Sequence, residues 1–285
     1  MKQIIIILSV VALFVAACSV NESPPTETPT PEPPTRTPIP LPLTDTPTPE
    51  PSATFKPKPT VDLELVLTPK ITVAYEVNYI GLKTSDDVQI IAKQFGESEL
   101  AVILAHQGTQ GANQRDWEAF ARMIAERGYS AVTLDFRGRG LSKGDYNATN
   151  YLIRDMRALI DYLQEEGYDH FVCMGASMGG STCLRATVEY DLEGVVVIGS
   201  FMSNGKPTNI TTDELVALTI PKLFITTEKD RFGDIPAAIK SMYEISQEPK
   251  QLRIFPGEVH GTEMFKQPYG EEFTAELLAF LDALR

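Results

Sequence analysis

The chain has 285 residues, 43% of them hydrophobic and 22% charged, and its formal net charge at pH 7 is -13. An acidic chain without clustered Lys and Arg does not match a phosphate backbone, so nucleic acid is not an expected partner. Its three cysteines, Cys18, Cys173 and Cys183, lack the spacing of a zinc site, and we expect no metal and no cofactor.

The first residues are typical of an export signal. Lys2 precedes a mainly apolar run, residues 4–17, which is too short to span a bilayer. The run ends at Val-Ala-Ala-Cys18, which resembles the lipobox of bacterial lipoproteins. That resemblance implies removal of residues 1–17, a lipid on Cys18, and an extracytoplasmic protein anchored to a membrane of the cell envelope. The alternative is an ordinary signal peptide.

Residues 18–60 form a predicted linker. Pro, Thr, Glu and Ser dominate it, and it has too few large apolar side chains for a core. Its prolines favour extended polyproline II geometry, so we expect a disordered but semi-rigid stalk. A docking site for proline-recognising modules is the alternative. Residues 61–285 have the length of one α/β domain.

Apolar and β-branched runs alternate with helical patterns along this domain, which predicts a mostly parallel sheet of eight strands flanked by helices. The predicted strands are 71–80, 88–95, 100–105, 130–134, 171–174, 194–198, 223–227 and 251–255, the first two antiparallel. Apolar residues at helical spacing predict buried helix faces around Trp117, Met156 and Leu277.

The fifth strand continues into the stretch VCMGASMGGS, where Ser177 lies between Gly175 and Gly179. A sharp strand-to-helix turn needs small residues two positions before and after its centre, because the backbones approach closely there. The N-terminus of the following helix, predicted for residues 180–190, favours the negative charge of acyl transfer. Ser177 is therefore the candidate nucleophile.

Position selects the candidate base and acid. His260 follows the last strand, at the carboxyl end where ligands gather in open α/β sheets, whereas His170 precedes its strand. We therefore expect His260 to be the base. Asp230 and Glu228 both follow the strand 223–227, and Asp230, in the loop proper, is the preferred acid.

A second motif, Asp135-Phe-Arg-Gly-Arg-Gly-Leu-Ser142, is similar to the Asp-x-Arg-Gly-x-Gly-x-Ser turn of many α/β-hydrolases. With the serine turn, the resemblance to that family covers nearly all of residues 61–285. It implies a structural role for Arg137 and an oxyanion hole formed by the backbone N–H groups of Gln107 and Met178. The usual His-Gly pair is replaced here by His106-Gln107-Gly108. The residue of this loop that donates to the oxyanion is therefore open by one position.

The resemblance and the three candidate residues imply acyl transfer to water by a serine esterase. A serine peptidase or amidase of the same fold is one alternative, and a non-catalytic surface binding module is another. The fold does not determine the natural substrate, because loop shape selects the acyl and leaving groups.

Two further expectations concern the surroundings of Ser177. We expect Cys173 and Cys183 to be unpaired and to lie in the core as small hydrophobic residues. Residues 199–220 have room for one short helix, 213–218, capped by Thr212. A lipase lid needs a larger amphipathic flap, so the cap should be minimal and the site open to small or soluble esters.

Overall fold

The computed structural model describes residues 75–202 and 207–285. The predicted signal peptide, Cys18, the linker to residue 60 and the first residues of the predicted domain lie outside these ranges. Within the described ranges, no helix combines the length and the apolar character that a membrane crossing requires.

The sheet has the predicted eight strands and is mostly parallel. Its spatial order is β1-β2-β4-β3-β5-β6-β7-β8, with β2 antiparallel to both neighbours and all later pairs parallel. The strands are β1 Val77–Lys83, β2 Gln89–Phe95, β3 Leu100–Ala105, β4 Ser130–Asp135, β5 His170–Ala176, β6 Gly194–Ile198, β7 Lys222–Thr227 and β8 Lys250–Phe255.

The first strand differs from its predicted bounds of 71–80. It continues to Lys83, which pairs with Gln89, and a tight turn with Asp87 at a φ of 63° joins the two strands. The hydrogen bond from the Thr84 amide to the Val88 carbonyl closes this turn. Tyr75 and Glu76, which the prediction included, precede the strand, and the predicted end is three residues early because the exposed Gly81 and Lys83 do not continue the apolar pattern.

Helices cover both faces of the sheet, as predicted. They are α1 Glu118–Glu126, α2 Leu152–Glu165, α3 Met178–Ala186, α4 Thr212–Ala217, α5 Ile235–Ile245 and α6 Gly270–Asp282. One apolar cluster joins the sheet to α2, α3 and α5, and a second joins it to α1 and α6. The predicted apolar faces around Trp117, Met156 and Leu277 are fully buried in these clusters.

Two helices differ from their predicted bounds. Helix α3 begins at Met178, directly after Ser177, and ends at Ala186, instead of running from residue 180 to 190. Helix α4 covers Thr212–Ala217 instead of 213–218 and is capped by Thr211 instead of Thr212. The Thr211 hydroxyl accepts from the Glu214 amide and the Glu214 carboxylate accepts from the Thr211 amide, a reciprocal pair that favours this start over the neighbouring threonine.

The expectation that Cys173 and Cys183 are unpaired was wrong. A disulfide joins them, with a Cα–Cα separation of 5.4 Å. The reason is the sharp turn between β5 and α3, which folds the helix back against the strand and brings the two Cα atoms into the range that a disulfide spans. The bridge closes the segment that contains Ser177.

This disulfide should contribute to stability by restricting the unfolded chain. In a Cys18→Ser background, reduction should lower the free energy of unfolding in urea by about 3 kcal/mol, the chain-entropy value for a short closed loop. The Cys173→Ala/Cys183→Ala variant is the matched control and should not respond to reductant. Equal stability of oxidised and reduced protein, or two titratable thiols in the untreated protein after denaturation, would contradict the bridge.

Candidate active site

Ser177 lies at the junction between β5 and α3. Its backbone has φ 52° and ψ -119°, a conformation that residues other than glycine rarely adopt. Two hydrogen bonds from the β6 side hold it there. Its amide donates to the Ile198 carbonyl at 2.8 Å, and its carbonyl accepts from the Ser200 hydroxyl at 2.7 Å. Such backbone strain is often found at functional sites, where the surrounding structure maintains it.

Gly175 and Gly179 are needed because the turn leaves no room for a side chain. A Cβ on Gly175 would lie 2.3 Å from the Gly179 carbonyl group, and one on Gly179 would lie 2.3 Å from the Ala105 carbonyl oxygen. These are backbone atoms, which cannot move aside. The two glycines therefore allow β3, β5 and α3 to converge beneath Ser177.

His260 is bonded to Asp230, with 2.6 Å between its Nδ1 and the Oδ2 of the carboxylate. Both side chains are buried, at 2% and 0% exposure. The other carboxylate oxygen of Asp230 accepts from the Phe232 amide at 2.9 Å. A carboxylate at Nδ1 keeps the proton on that nitrogen and leaves the lone pair on Nε2. Glu228, the other candidate acid from the sequence analysis, is exposed.

The loop that carries His260 packs against the strands around Ser177. A Cβ on Gly199, the residue after Ile198, would lie 3.4 Å from His260 Nδ1. A Cβ on Gly261 would lie 3.2 Å from the Ala176 Cβ, one residue before Ser177. The structure thus brings Ser177, Asp230 and His260 to the same edge of the sheet. His170 opens β5 at its other end, exposed, and bonds to Glu193.

The predicted oxyanion residues Gln107 and Met178 lie on either side of Gly108. A Cβ on that glycine would be only 3.0 Å from Met178 Sδ, so the loop after β3 touches the residue next to Ser177. The close approach is the geometry expected if both loops contribute N–H groups to one oxyanion.

The side chain of Gln107 has a role that sequence reasoning missed. Its Oε1 accepts from the Thr262 amide at 2.9 Å, and its Nε2 donates to the Thr109 hydroxyl at 3.0 Å. Gly261 makes this contact possible, because a Cβ there would lie 2.0 Å from Gln107 Oε1. Gln107 therefore fastens the predicted oxyanion loop to the loop of His260.

His106 fixes the same loop through hydrogen bonds to the backbone. Its Nδ1 donates to the Gln107 carbonyl at 2.7 Å and its Nε2 accepts from the Phe136 amide at 3.1 Å. Complete burial lowers its pKa from 6.5 to about 3, so the ring is neutral at pH 7. With both ring nitrogens bonded to the backbone, His106 has the geometry of a structural residue.

Arg137 is held by two carboxylates. Its guanidinium donates to Asp155 at 2.6 Å and to Asp86 at 2.8 Å, and its amide donates to Asp155. In the same turn, the Asp135 carboxylate accepts from the Leu141 amide. These contacts agree with the structural role expected for Arg137 in this motif.

A cleft of about 780 Å³ lies beside this region, between α1 and the segment Gly261–Lys266. Gln107 and Thr262 form part of its wall. Among the residues that the structure describes, no group of His, Cys, Asp and Glu is arranged to bind a metal ion.

Comparisons with known proteins match this architecture. Residues 98–269 match the family model described as "Alpha/beta hydrolase domain". A non-heme chloroperoxidase of Burkholderia pyrrocinia is 24% identical over 152 residues, which are 53% of this chain and 48% of that protein. The matched region thus spans about half the length of that curated relative.

Two solved structures share the fold. An esterase of Pyrococcus furiosus superposes with a TM-score of 0.62 at 18% identity, covering 76% of this chain and 97% of that chain. A predicted CIB-like hydrolase from Thermoplasma acidophilum gives a TM-score of 0.61 at 18% identity, covering 74% and 100%.

The buried neutral His106 should make stability depend on pH. Between pH 6.5 and about 3 the unfolded chain binds a proton that the folded His106 does not, so the free energy of unfolding falls as pH drops. The contribution is about 1.4 kcal/mol per pH unit, or about 2 kcal/mol between pH 7.5 and 5.0. Urea unfolding at the two pH values should show that His106→Gln loses this part of the decrease.

The exposed His170 provides the control. His170→Gln should keep the acid-dependent loss of stability seen in the unaltered protein. An equal pH dependence in the unaltered protein and in His106→Gln would show that His106 is not held neutral by the fold.

Proposed function

The chain belongs to the alpha/beta hydrolase family, and from this membership we propose that it is a serine esterase in which Ser177, His260 and Asp230 form a catalytic triad. The observation that supports this proposal most directly is the buried Nδ1–Oδ2 bond between His260 and Asp230 at the edge of the sheet where Ser177 turns. The esterase fold of the solved relative is consistent with it.

The proposed reaction begins with attack of the Ser177 hydroxyl oxygen on the ester carbonyl carbon. His260 accepts the serine proton at Nε2, and Asp230 stabilises the resulting imidazolium through Nδ1. Because this pair is buried, its attraction is screened far less than it would be in water. The tetrahedral oxyanion would accept hydrogen bonds from the backbone N–H groups of Gln107 and Met178, near the N-terminus of α3.

Collapse of the tetrahedral intermediate breaks the bond to the leaving alcohol, which takes the proton from His260. The acyl group then remains on Ser177 as an ester. In the second half of the reaction, His260 removes a proton from water, which attacks the acyl carbon. The carboxylic acid product leaves, and the proton returns to Ser177.

We propose small or water-soluble esters as substrates. The described residues between β6 and β7 contain one helix, the six-residue α4, which is too short to act as a lipase lid. Two exposed aromatic side chains, Phe201 and Phe232, lie near the site, and the Phe232 ring packs edge-on at 4.7 Å from His260. They provide an apolar surface for a short acyl chain.

Hydrolysis of 4-nitrophenyl butyrate by the purified protein tests the proposal. Ser177→Ala and His260→Ala should each lower kcat by up to ~10⁶-fold, and the double variant should lose little more because the residues act together. Asp230→Asn should lower kcat strongly, since it removes the charge that stabilises the imidazolium. Glu228→Gln is the matched control, because that side chain is exposed on the same loop, and its activity should stay near the starting value.

No hydrolysis of any activated ester, or a Ser177→Ala variant as active as the unaltered protein, would contradict the proposed reaction. A larger loss for Glu228→Gln than for Asp230→Asn would assign the acid to Glu228.

We further propose that the enzyme is anchored outside the cytoplasm by a lipid on Cys18. The proposal rests on the lipobox-like sequence and the Pro/Thr-rich linker after it. The disulfide between Cys173 and Cys183 supports it independently, because structural disulfides persist mainly in oxidising compartments outside the cytoplasm. A stalk of this kind would hold the hydrolase domain away from the membrane surface.

The anchor is tested by Cys18→Ser. This variant should leave the membrane fraction and appear in the soluble fraction, because it removes the thiol that carries the lipid. Cys173→Ser, which leaves Cys18 intact, is the control and should stay with the membranes. If Cys18→Ser still sediments with membranes and the mature N-terminus carries no lipid by mass spectrometry, the anchor proposal is wrong.

A further inference from the structure

Arg139 is a buried cation that forms no salt bridge within the described ranges. It is 5% exposed, and none of the described carboxylates forms a salt bridge with it. Within the described ranges, its Nη1 donates to the carbonyl oxygens of Arg137 and Tyr146, at 3.4 and 3.3 Å, its guanidinium also interacts with the Tyr146 side chain, and its Nε has no hydrogen-bond partner. A buried charge is normally paired, because removing it from water is costly.

The neighbouring arginine shows how unusual this is. Arg137, two residues earlier in the same turn, donates to both Asp86 and Asp155. Burial lowers the pKa of Arg139, whereas the two carboxylates raise the pKa of Arg137. The fold therefore pairs one buried guanidinium directly with two carboxylates, whereas the other has no described carboxylate at salt-bridge distance and only the more distant field of Asp155.

The unpaired guanidinium lies beside the proposed reaction centre. A Cβ on Gly108 would be 3.8 Å from Arg139 Nη2 and 3.0 Å from the sulfur of Met178, the residue after Ser177. The Tyr146 ring covers one face of the guanidinium at 4.0 Å, and its hydroxyl donates to the Gly108 carbonyl at 3.1 Å. Arg139 is thus held against the proposed oxyanion loop.

The unsatisfied donor of Arg139, Nε, lies on one edge of the guanidinium. Nε and Nη2 point the same way and form the edge that can donate two parallel hydrogen bonds to a carboxylate. Within the described residues the buried Nε has no hydrogen-bond partner, while the bonds to backbone carbonyls come from Nη1 on the other edge. The bidentate edge therefore has at least one donor, Nε, that no described group satisfies.

We propose that Arg139 binds a carboxylate on the acyl part of the substrate, so that the enzyme acts on half-esters of short dicarboxylic acids. This inference rests on the proposed ester hydrolysis at Ser177 and names its substrate class. The acyl part is the group concerned, because Gly108 and Met178 belong to the two segments proposed to form the oxyanion hole, and the Arg139 guanidinium lies against Gly108. The substrate carboxylate would form the salt bridge that Arg139 lacks within the described residues.

Two esters of equal length test the proposal. The 4-nitrophenyl monoester of glutaric acid and 4-nitrophenyl valerate differ in that a carboxylate replaces the terminal methyl group. The full chain should give a higher kcat/KM for the glutarate ester, mainly through a lower KM. Arg139→Gln should lower the ratio of the two kcat/KM values by about 10-fold or more, because a charge-assisted pair is lost. Arg139→Lys should give an intermediate ratio, since it keeps the charge without the fork.

Arg157→Gln is the matched control, because Arg157 is exposed and pairs with Glu189 on the helical surface. It should keep the starting ratio. A starting ratio that favours valerate, or an equal fall of both kcat/KM values in Arg139→Gln, would overturn the proposal and leave Arg139 as a packing residue.

Binding of glutarate to the Ser177→Ala protein, measured by calorimetry, separates this inference from the proposed function. Glutarate should bind at least 10-fold more tightly to Ser177→Ala than to Ser177→Ala/Arg139→Gln. If that holds while neither ester is hydrolysed by the unaltered protein, the esterase proposal fails and the carboxylate site stands. If valerate is hydrolysed but glutarate binds both variants equally, the esterase stands and the carboxylate site fails.

Discussion

The strained backbone of Ser177 is the constraint on which the rest of the site depends. A positive φ at a residue with a side chain is unfavourable, so it persists only where neighbouring groups leave no alternative. Here Ile198 and Ser200 bond both backbone groups of Ser177 from the β6 side, and Gly175 and Gly179 allow the strands and the helix to close around it. The disulfide between strand and helix closes the same turn covalently.

The loops around this turn are joined to one another by side chains. His106 bonds to the backbone on both of its ring nitrogens, and Gln107 connects its own loop to the loop of His260 through Thr262. Asp230 fixes the ring of His260. Groups that are positioned before substrate arrives do not have to reorganise during the reaction, which is the main source of electrostatic stabilisation in enzymes.

Charge is distributed unevenly between the surface and the site. The chain carries a net charge of -13, which would repel an anionic substrate at a distance. At physiological ionic strength this repulsion is largely screened beyond about 8 Å, whereas a buried guanidinium acts at contact distance with little screening. An arginine without a described salt bridge beside the proposed reaction centre is therefore compatible with the proposed selection of an anionic substrate by an acidic protein.

Features that depend on residues close together in the chain are predictable from the amino-acid sequence. Alternating apolar patterns located all eight strands, and the spacing of small residues around Ser177 located the turn, because strand pairing and tight turns have local requirements. Position after the strand favoured Asp230 over Glu228 as the candidate acid, and Asp230 is the one that contacts His260. Helix α5 was missed, although Ile235, Ile239 and Met242 recur at helical spacing. Contacts between distant groups became visible only in three dimensions. They are the bridge between Cys173 and Cys183, the bond from Thr262 to Gln107, and the salt bridges of Arg137 but not of Arg139. Such contacts depend on how helices and loops pack, and the spacing of residues along the chain does not determine the distance between two side chains in the folded protein.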